Sequence, residues 1–273
     1  KALLAENALE LIESPVTLRP VALAKLVPQA GLSLLQVNEI RGFCFQLMQI
    51  GDLLPWQRLV LVGHLCHQLE LLIGERASLD IDAFLGDVVR QVESGSMLEI
   101  LASSTSNFGQ QAPLFFKLWQ GQAERKNSRI QELIQNAVAT GLGVDSIKTE
   151  PPDWGVVIRH YGAGLKRLDD ALVHAPSLLD NWLHNEMFRE MFPFGAASPY
   201  CHFLGLIARF GLLRLMLAGV CNAGGETDAA MLARTTQVCS RLYPNPSFNT
   251  KAAQALSVLG FDEPQRFAEL LRV

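Results

Sequence analysis

The chain has 273 residues, of which 49% are hydrophobic and only 18% are charged. This composition supplies a large buried core and excludes a disordered protein. The formal net charge is −4 and no basic stripe occurs, so nucleic acid is not an expected partner.

Helical signals dominate the first half of the chain. Residues 2–14 predict a first helix, and Ser33 is a candidate N-cap for a second helix that stops near Gly51. Pro55 suits the first turn of a third helix, and Asp80 can cap a fourth.

The stretch from residue 97 to residue 141 divides into three predicted parts. Residues 97–103 suggest a short helix, and the small polar residues 102–112 predict a loop. Residues 114–141 predict one long helix. Residues 155–160, "GVVIRH", are the only local strand candidate, and they fit a helix equally well.

The best candidate for a boundary is residues 141–153, because Pro151 and Pro152 exclude a continuous helix there. We therefore predict an N-terminal helical subdomain, 1–150, and a C-terminal helical subdomain, 151–273. The expected fold is all-α, a globular bundle of about ten helices. The predicted C-terminal helices lie near 154–173, 176–192, 198–222, 226–242, 249–258 and 264–271.

Residues 203–221, "FLGLIARFGLLRLMLAGVC", are long enough to cross a membrane. Arg209 and Arg214 interrupt the stretch, and on a helix they lie about 140° apart. One of them would then have to face lipid, at a cost of roughly 3 kcal/mol. We therefore predict a central helix of a globular fold, with no membrane as partner.

The cysteines are scattered and no CxxC pattern occurs, which indicates reduced thiols in a cytoplasmic protein. His64 and His67 share a helix face beside Cys66, and Glu70 follows one turn later. Such a set could ligate a metal, but no spacing demands it. A core cysteine flanked by two partly exposed histidines explains the same pattern, and we predict no metal site.

The helix "NWLHNEMFREMFPFG", residues 181–195, does not separate into a polar and an apolar face. Trp182 lies on the polar arc with Asn185, Glu186 and Glu190, whereas His184 lies on the apolar arc. Trp182 either packs under a neighbouring helix or lines a groove in which the two glutamates receive a cation.

Arg209 and Arg214 belong to an apolar helix, and buried guanidinium groups need carboxylate partners. The nearest acidic residues in sequence are Asp180, Glu186 and Glu190. One interpretation is a structural ion-pair network of Arg209, Arg214 and Asp180 between the two helices. The other leaves one carboxylate free to hold a substrate lysine.

Three segments carry a resemblance to a known family: "LLDNWLHNEMFREMFPFG", "FLGLIARFGLLRLMLAGVC" and "SRLYPNPSFNTKAAQALSVLGF". They resemble the C-terminal part of the bacterial flagellin lysine-N-methylases, from about residue 178 to the end. Residues 2–14 fit the segment that follows the cysteine-rich region of that family.

The resemblance implies an enzyme that transfers methyl groups from S-adenosylmethionine to flagellin lysines. It also implies a [4Fe-4S] cluster in an N-terminal cysteine-rich region. The five dispersed cysteines of this chain do not match that region. On this interpretation the chain is the C-terminal portion, contributing flagellin recognition.

Trp182, Asn185, Glu186 and Glu190 are the residue types that could hold a lysine cation, so we predict them as the substrate-binding set. The catalytic residues are not predicted. The chain lacks the glycine-rich turn of classical methyltransferases. The alternative is a non-catalytic helical protein-interaction module.

Overall fold

A computed structural model describes residues 2–5, 32–74, 80–96, 99, 102, 105–121, 128–146, 152–225, 227–242 and 246–272. Over these residues the protein forms eleven α-helices and no β-strand, which confirms the predicted all-α bundle. The helices are α1 (Leu34–Met48), α2 (Pro55–Gly74), α3 (Ile81–Glu93), α4 (Phe108–Gln120), α5 (Arg129–Gly141), α6 (Trp154–Leu172), α7 (Leu178–Arg189), α8 (Pro199–Asn222), α9 (Ala229–Leu242), α10 (Pro246–Val258) and α11 (Pro264–Leu271).

Local capping chemistry fixes the starts of the first helices. The Ser33 hydroxyl accepts a hydrogen bond from the backbone N–H of Gln36, whose side chain accepts one from the backbone of Ser33. This reciprocal capping box satisfies two backbone donors at the start of α1. Asp80 caps α3 in the predicted way, and α2 begins at Pro55. Of the helix predicted in residues 2–14, residues 6–14 lie outside the described part.

Two predictions in the middle of the chain are wrong. Residues 114–141 do not form one helix, because α4 ends at Gln120 and Ser128 begins α5 with a second capping box. The predicted loop over residues 102–112 is helical from Phe108 onward, since Asn107 caps α4. Of the short helix predicted at 97–103, only residues 99 and 102 are described, and both are helical.

The second half of the chain follows its predicted helices. Residues 155–160, the strand candidate, lie inside α6, which Asp153 caps. The remaining helices begin and end within a few residues of the expected positions.

Helix α8 is the centre of the fold. It packs against α2, α4, α5, α6, α9 and α10, and every residue from 202 to 221 is buried. Glycines allow this close approach: a Cβ on Gly164 would collide with the Ala218 carbonyl oxygen, and one on Gly141 with the Gly219 carbonyl oxygen. Among the described helices, α8 alone is long and apolar enough to cross a membrane. Its most apolar segment is completely enclosed by the rest of the protein.

Helices on both sides of residue 150 share one hydrophobic core, which runs from Val37 to Leu271. The boundary between subdomains 1–150 and 151–273 falls within residues 147–151, outside the described residues, and it stays a prediction.

Candidate functional site

The predicted substrate-binding residues on α7 lie largely inside the protein. Glu186 is 3% exposed, and its Oε2 accepts hydrogen bonds from Arg189 Nη2 at 2.6 Å and from Arg209 Nη1 at 3.2 Å. Both cations compete for a carboxylate that lacks access to solvent. Glu186 is therefore an internal counter-ion in this structure.

Trp182 is also buried, with 2% of its surface exposed. Its indole Nε1 donates to the Ser240 hydroxyl at 2.8 Å, and its ring centroid lies 6.2 Å from that of Phe210. Of the two interpretations of Trp182, these contacts correspond to packing under neighbouring helices.

The other two predicted residues, Asn185 and Glu190, lie nearer the surface. Asn185 is exposed, and Glu190 is half-buried and accepts from Arg189 Nε at 2.8 Å. None of the four predicted residues lines either of the two cavities described below. Their role in substrate binding stays a prediction.

The expected network of Arg209, Arg214 and Asp180 does not form as one unit. Arg209 meets a carboxylate of α7, but the partner is Glu186. Asp180 instead pairs with Arg58 of α2, whose Nη2 donates to both carboxylate oxygens at 2.9 and 3.0 Å. Arg214 does not join Arg209 in this network because it lies about 140° around α8 from Arg209. It therefore faces away from the glutamates of α7.

Arg214 has a different environment from Arg209. Its Nη1 donates to the backbone carbonyl of Leu271 at the end of α11, and its Cζ lies 5.7 Å from the Phe210 ring centroid. No described carboxylate forms an ion pair with it, and its Nη2 has no hydrogen-bond partner among the described residues. Arg214 is thus a buried cation with one unused donor.

Arg214 lines a cavity of about 350 Å³, which we call the Arg214 cavity. It is surrounded by side chains of α6, α7 and α8, of the turn between α6 and α7, and of the start of α2. They are Leu54, Pro55, Trp56, Leu165, Leu168, Asp169, Leu172, Pro176, Leu179, Phe210 and Arg214. The volume is within the range typical of small-molecule sites, and most of the lining is apolar.

Among the described residues, Asp169 is the only acidic one that lines the Arg214 cavity. It is exposed, and no described group forms a hydrogen bond or ion pair with its carboxylate. Partial burial raises the pKa of Asp169, and the charge of Arg214 opposes that shift. Burial lowers the pKa of Arg214, and the electrostatic interactions with Tyr161 and Asp169 oppose that shift. The cavity therefore presents a deep cation and a carboxylate at a more exposed position.

Sequence reasoning did not find Asp169 or Trp56. Asp169 belongs to the exposed face of α6, and Trp56 follows the proline at the start of α2. Neither position carries a local signal of function, because only the packing of α2 and α6 around α8 brings them to one cavity.

The histidines and cysteines provide no metal centre in the described residues. His64 Nε2 lies 3.0 Å from Gln91 Oε1 and 2.7 Å from Gln68 Nε2, and Cys66 is buried. No three His, Cys, Asp or Glu side chains of the described residues are placed to hold an ion. The five cysteines, all of them described, thus do not fit an iron–sulfur cluster.

A second cavity, also about 350 Å³, lies beside the N-terminus of α8. The residues that line it are His67, Glu70, Leu71, Tyr200, Asp262 and Glu263. Glu70 is already engaged, since its Oε2 accepts from the backbone N–H of Tyr200 at 2.9 Å. None of the described residues that line this second cavity is a buried, partially unpaired cation like Arg214.

A comparison with protein families identifies the chain. The family described as the FliB lysine N-methylase C-terminal domain matches residues 41–269. The chain belongs to the FliB lysine N-methylase family. The match confirms the resemblance and extends it well before residue 178, across every helix that forms the Arg214 cavity. No curated protein and no solved structure matches the chain.

Proposed function

We propose that the protein containing this FliB C-terminal domain transfers methyl groups from S-adenosylmethionine to lysine side chains of flagellin. The single observation that carries the proposal is the family match over residues 41–269. The reaction moves the methyl carbon from the sulfonium to the lysine nitrogen. The carbon–sulfur bond breaks with its electron pair on sulfur, the carbon–nitrogen bond forms, and the nitrogen releases a proton.

The Arg214 cavity supports a ligand-binding role for this domain. Trp56 and Phe210 line this cavity, and their rings already face the guanidinium groups of Arg272 and Arg214. Asp169 supplies a counter-charge at the same cavity. The described His, Cys, Asp and Glu side chains do not form a site that fits an iron–sulfur cluster, so we derive no step through such a group.

The test is a methylation assay with the full-length protein, purified flagellin and S-adenosylmethionine labelled in its methyl group. We expect label on flagellin lysines, located by peptide mass spectrometry, and none when the protein is omitted. Flagellin that binds the protein yet gains no methyl group in the complete mixture would overturn the proposal. That result would favour the non-catalytic interaction module.

A further inference from the structure

Arg214, which lines the Arg214 cavity, has a guanidinium that the described protein leaves partly unsatisfied. Arg214 is 2% exposed, and its Nη2 has no hydrogen-bond partner among the described residues. A buried cationic donor without a partner is costly. Arg58 and Arg209 also have such donors among the described residues, but of these three arginines only Arg214 lines the cavity. A ligand carboxylate is the natural partner, since carboxylates accept strong hydrogen bonds from guanidinium nitrogens.

The guanidinium is held before any ligand arrives. Its Nη1 donates to the Leu271 carbonyl, and its Cζ lies over the Phe210 ring. These contacts fix the orientation of the fork. A prepositioned donor loses little conformational freedom when it binds an anion.

The charges of the cavity discriminate among ligands. An ammonium alone, such as a lysine side chain, would be repelled by Arg214. A dianion such as phosphate would be repelled by Asp169, which lines the same cavity. A zwitterion satisfies both groups, because its carboxylate can meet Arg214 while its ammonium lies toward Asp169.

The walls specify the rest of the ligand. Leu165, Leu168 and Phe210 are buried and apolar, so they favour an apolar side chain. Leu54 and Pro176 are exposed parts of the lining, which leaves room for a larger ligand to extend outward.

We propose that the Arg214 cavity binds the α-amino-acid end of a methionine compound, its carboxylate on Arg214 and its ammonium toward Asp169. Two sources carry this chemistry: the methionine end of S-adenosylmethionine, and free methionine. The first source rests on the proposed function, since it makes the cavity the binding site of the methyl donor.

The experiment is calorimetric titration of the full-length protein with S-adenosylmethionine, with L-methionine and with L-methioninamide, which lacks the carboxylate. We expect S-adenosylmethionine to bind. L-methionine then distinguishes the sources. If L-methionine and S-adenosylmethionine both bind and compete with each other, the methionine end of S-adenosylmethionine occupies the cavity. Binding of methionine alone indicates a free amino acid as the ligand. L-methioninamide should bind at least tenfold more weakly than L-methionine.

Variants place the ligand in this cavity. Arg214→Met and Asp169→Asn should each weaken binding about tenfold or more, the size expected for one lost charged contact. Asp170→Asn is the matched control, because Asp170 is the exposed neighbour of Asp169 and does not line the cavity. It should bind like the unaltered protein. Circular dichroism checks that each variant is folded.

The inference is overturned if neither amino acid nor S-adenosylmethionine binds, or if Asp169→Asn and Asp170→Asn bind alike. Equal affinity for L-methionine and L-methioninamide also overturns it, even if Arg214→Met does not fold. Flagellin methylation is measured in parallel. An unaltered KM for S-adenosylmethionine in Asp169→Asn, together with no binding of L-methionine to the unaltered protein, rejects the inference and retains the proposed function. Amino-acid binding without methylation does the reverse.

Discussion

Arg209 and Arg214 lie on the same helix, α8, and both are almost completely buried, yet their surroundings differ. Arg209 meets Glu186, and a second cation, Arg189, shares that carboxylate. Arg214 meets a backbone carbonyl, an aromatic ring and a cavity. Arg209 thus belongs to a closed ion-pair region of the core, whereas Arg214 belongs to a region that can receive a ligand.

The difference shows that a buried arginine in this fold is not in itself a functional signal. What separates the two is whether the protein supplies the counter-charge. Where it does, loss of either partner should cost stability. Where it does not, loss of the arginine should change ligand binding more than stability. The following experiments probe that contrast.

The largest effect is expected for Glu186→Gln. This change leaves Arg209 buried without its carboxylate, so the free energy of unfolding should fall by about 3–5 kcal/mol, measured by urea denaturation. Asn185→Ala, at the exposed neighbouring position, should change it by less than about 0.5 kcal/mol. Unaltered stability of Glu186→Gln with reduced flagellin methylation would instead support the predicted substrate-binding role of Glu186.

The second experiment compares the two arginines directly. Arg209→Met leaves the buried Glu186 without its Arg209 partner, and it should destabilise the protein by about 3 kcal/mol. Arg214→Met removes a buried charge that has no paired carboxylate, and it should cost about 1 kcal/mol or less. Equal losses of stability in urea would contradict the division into a closed and an open region.

The third experiment concerns the pH dependence of the closed region. His202 is completely buried, and its Nδ1 lies 3.1 Å from the backbone N–H of Gly195, which donates to it. Burial, followed by the charge of Arg209, lowers the pKa of His202 to about 3. The unfolded chain binds this proton near pH 6.5, so stability is complete above that pH and declines as pH falls toward 3.

His202→Gln should remove this contribution. Between pH 6.5 and pH 3 the slope of unfolding free energy should become shallower by at most ~1.4 kcal/mol per pH unit. Some slope should persist, because burial also lowers the pKa values of His64 and His184. Identical slopes for the variant and the unaltered protein would show that His202 titrates in the fold as it does in the unfolded chain.

The smallest effect on stability is expected for Asp169→Asn. Asp169 is exposed and has no hydrogen-bond partner among the described residues, so the melting temperature should hardly change, as for Asp170→Asn. The raised pKa of Asp169 means that its charged form is disfavoured in the fold, which excludes a large stabilising role. A marked loss of stability in Asp169→Asn alone would place Asp169 among the structural charges with Glu186.

The sequence by itself determined the features that depend on neighbours along the chain. Ser33, Asp80 and Pro55 mark the starts of their helices, because capping acts within a few residues. The family resemblance of the segments that form α7 and α8 could also be recognised from the order of residues along the chain. The capping box at Ser128 is equally local. The prediction of one helix over residues 114–141 was wrong because the apolar pattern is helical both before and after this break between α4 and α5.

The partner of each buried charge was decided by the tertiary structure. Glu186 could be foreseen for Arg209, since α7 and α8 are consecutive helices. Asp180 pairs instead with Arg58, and Arg214 meets Leu271 and the cavity that Asp169 and Trp56 help to form. These groups come from distant parts of the chain. The rotation of each helix about its axis and the packing of the helices around α8 bring these groups together. The periodicity within a single helix predicts neither the rotation nor the packing.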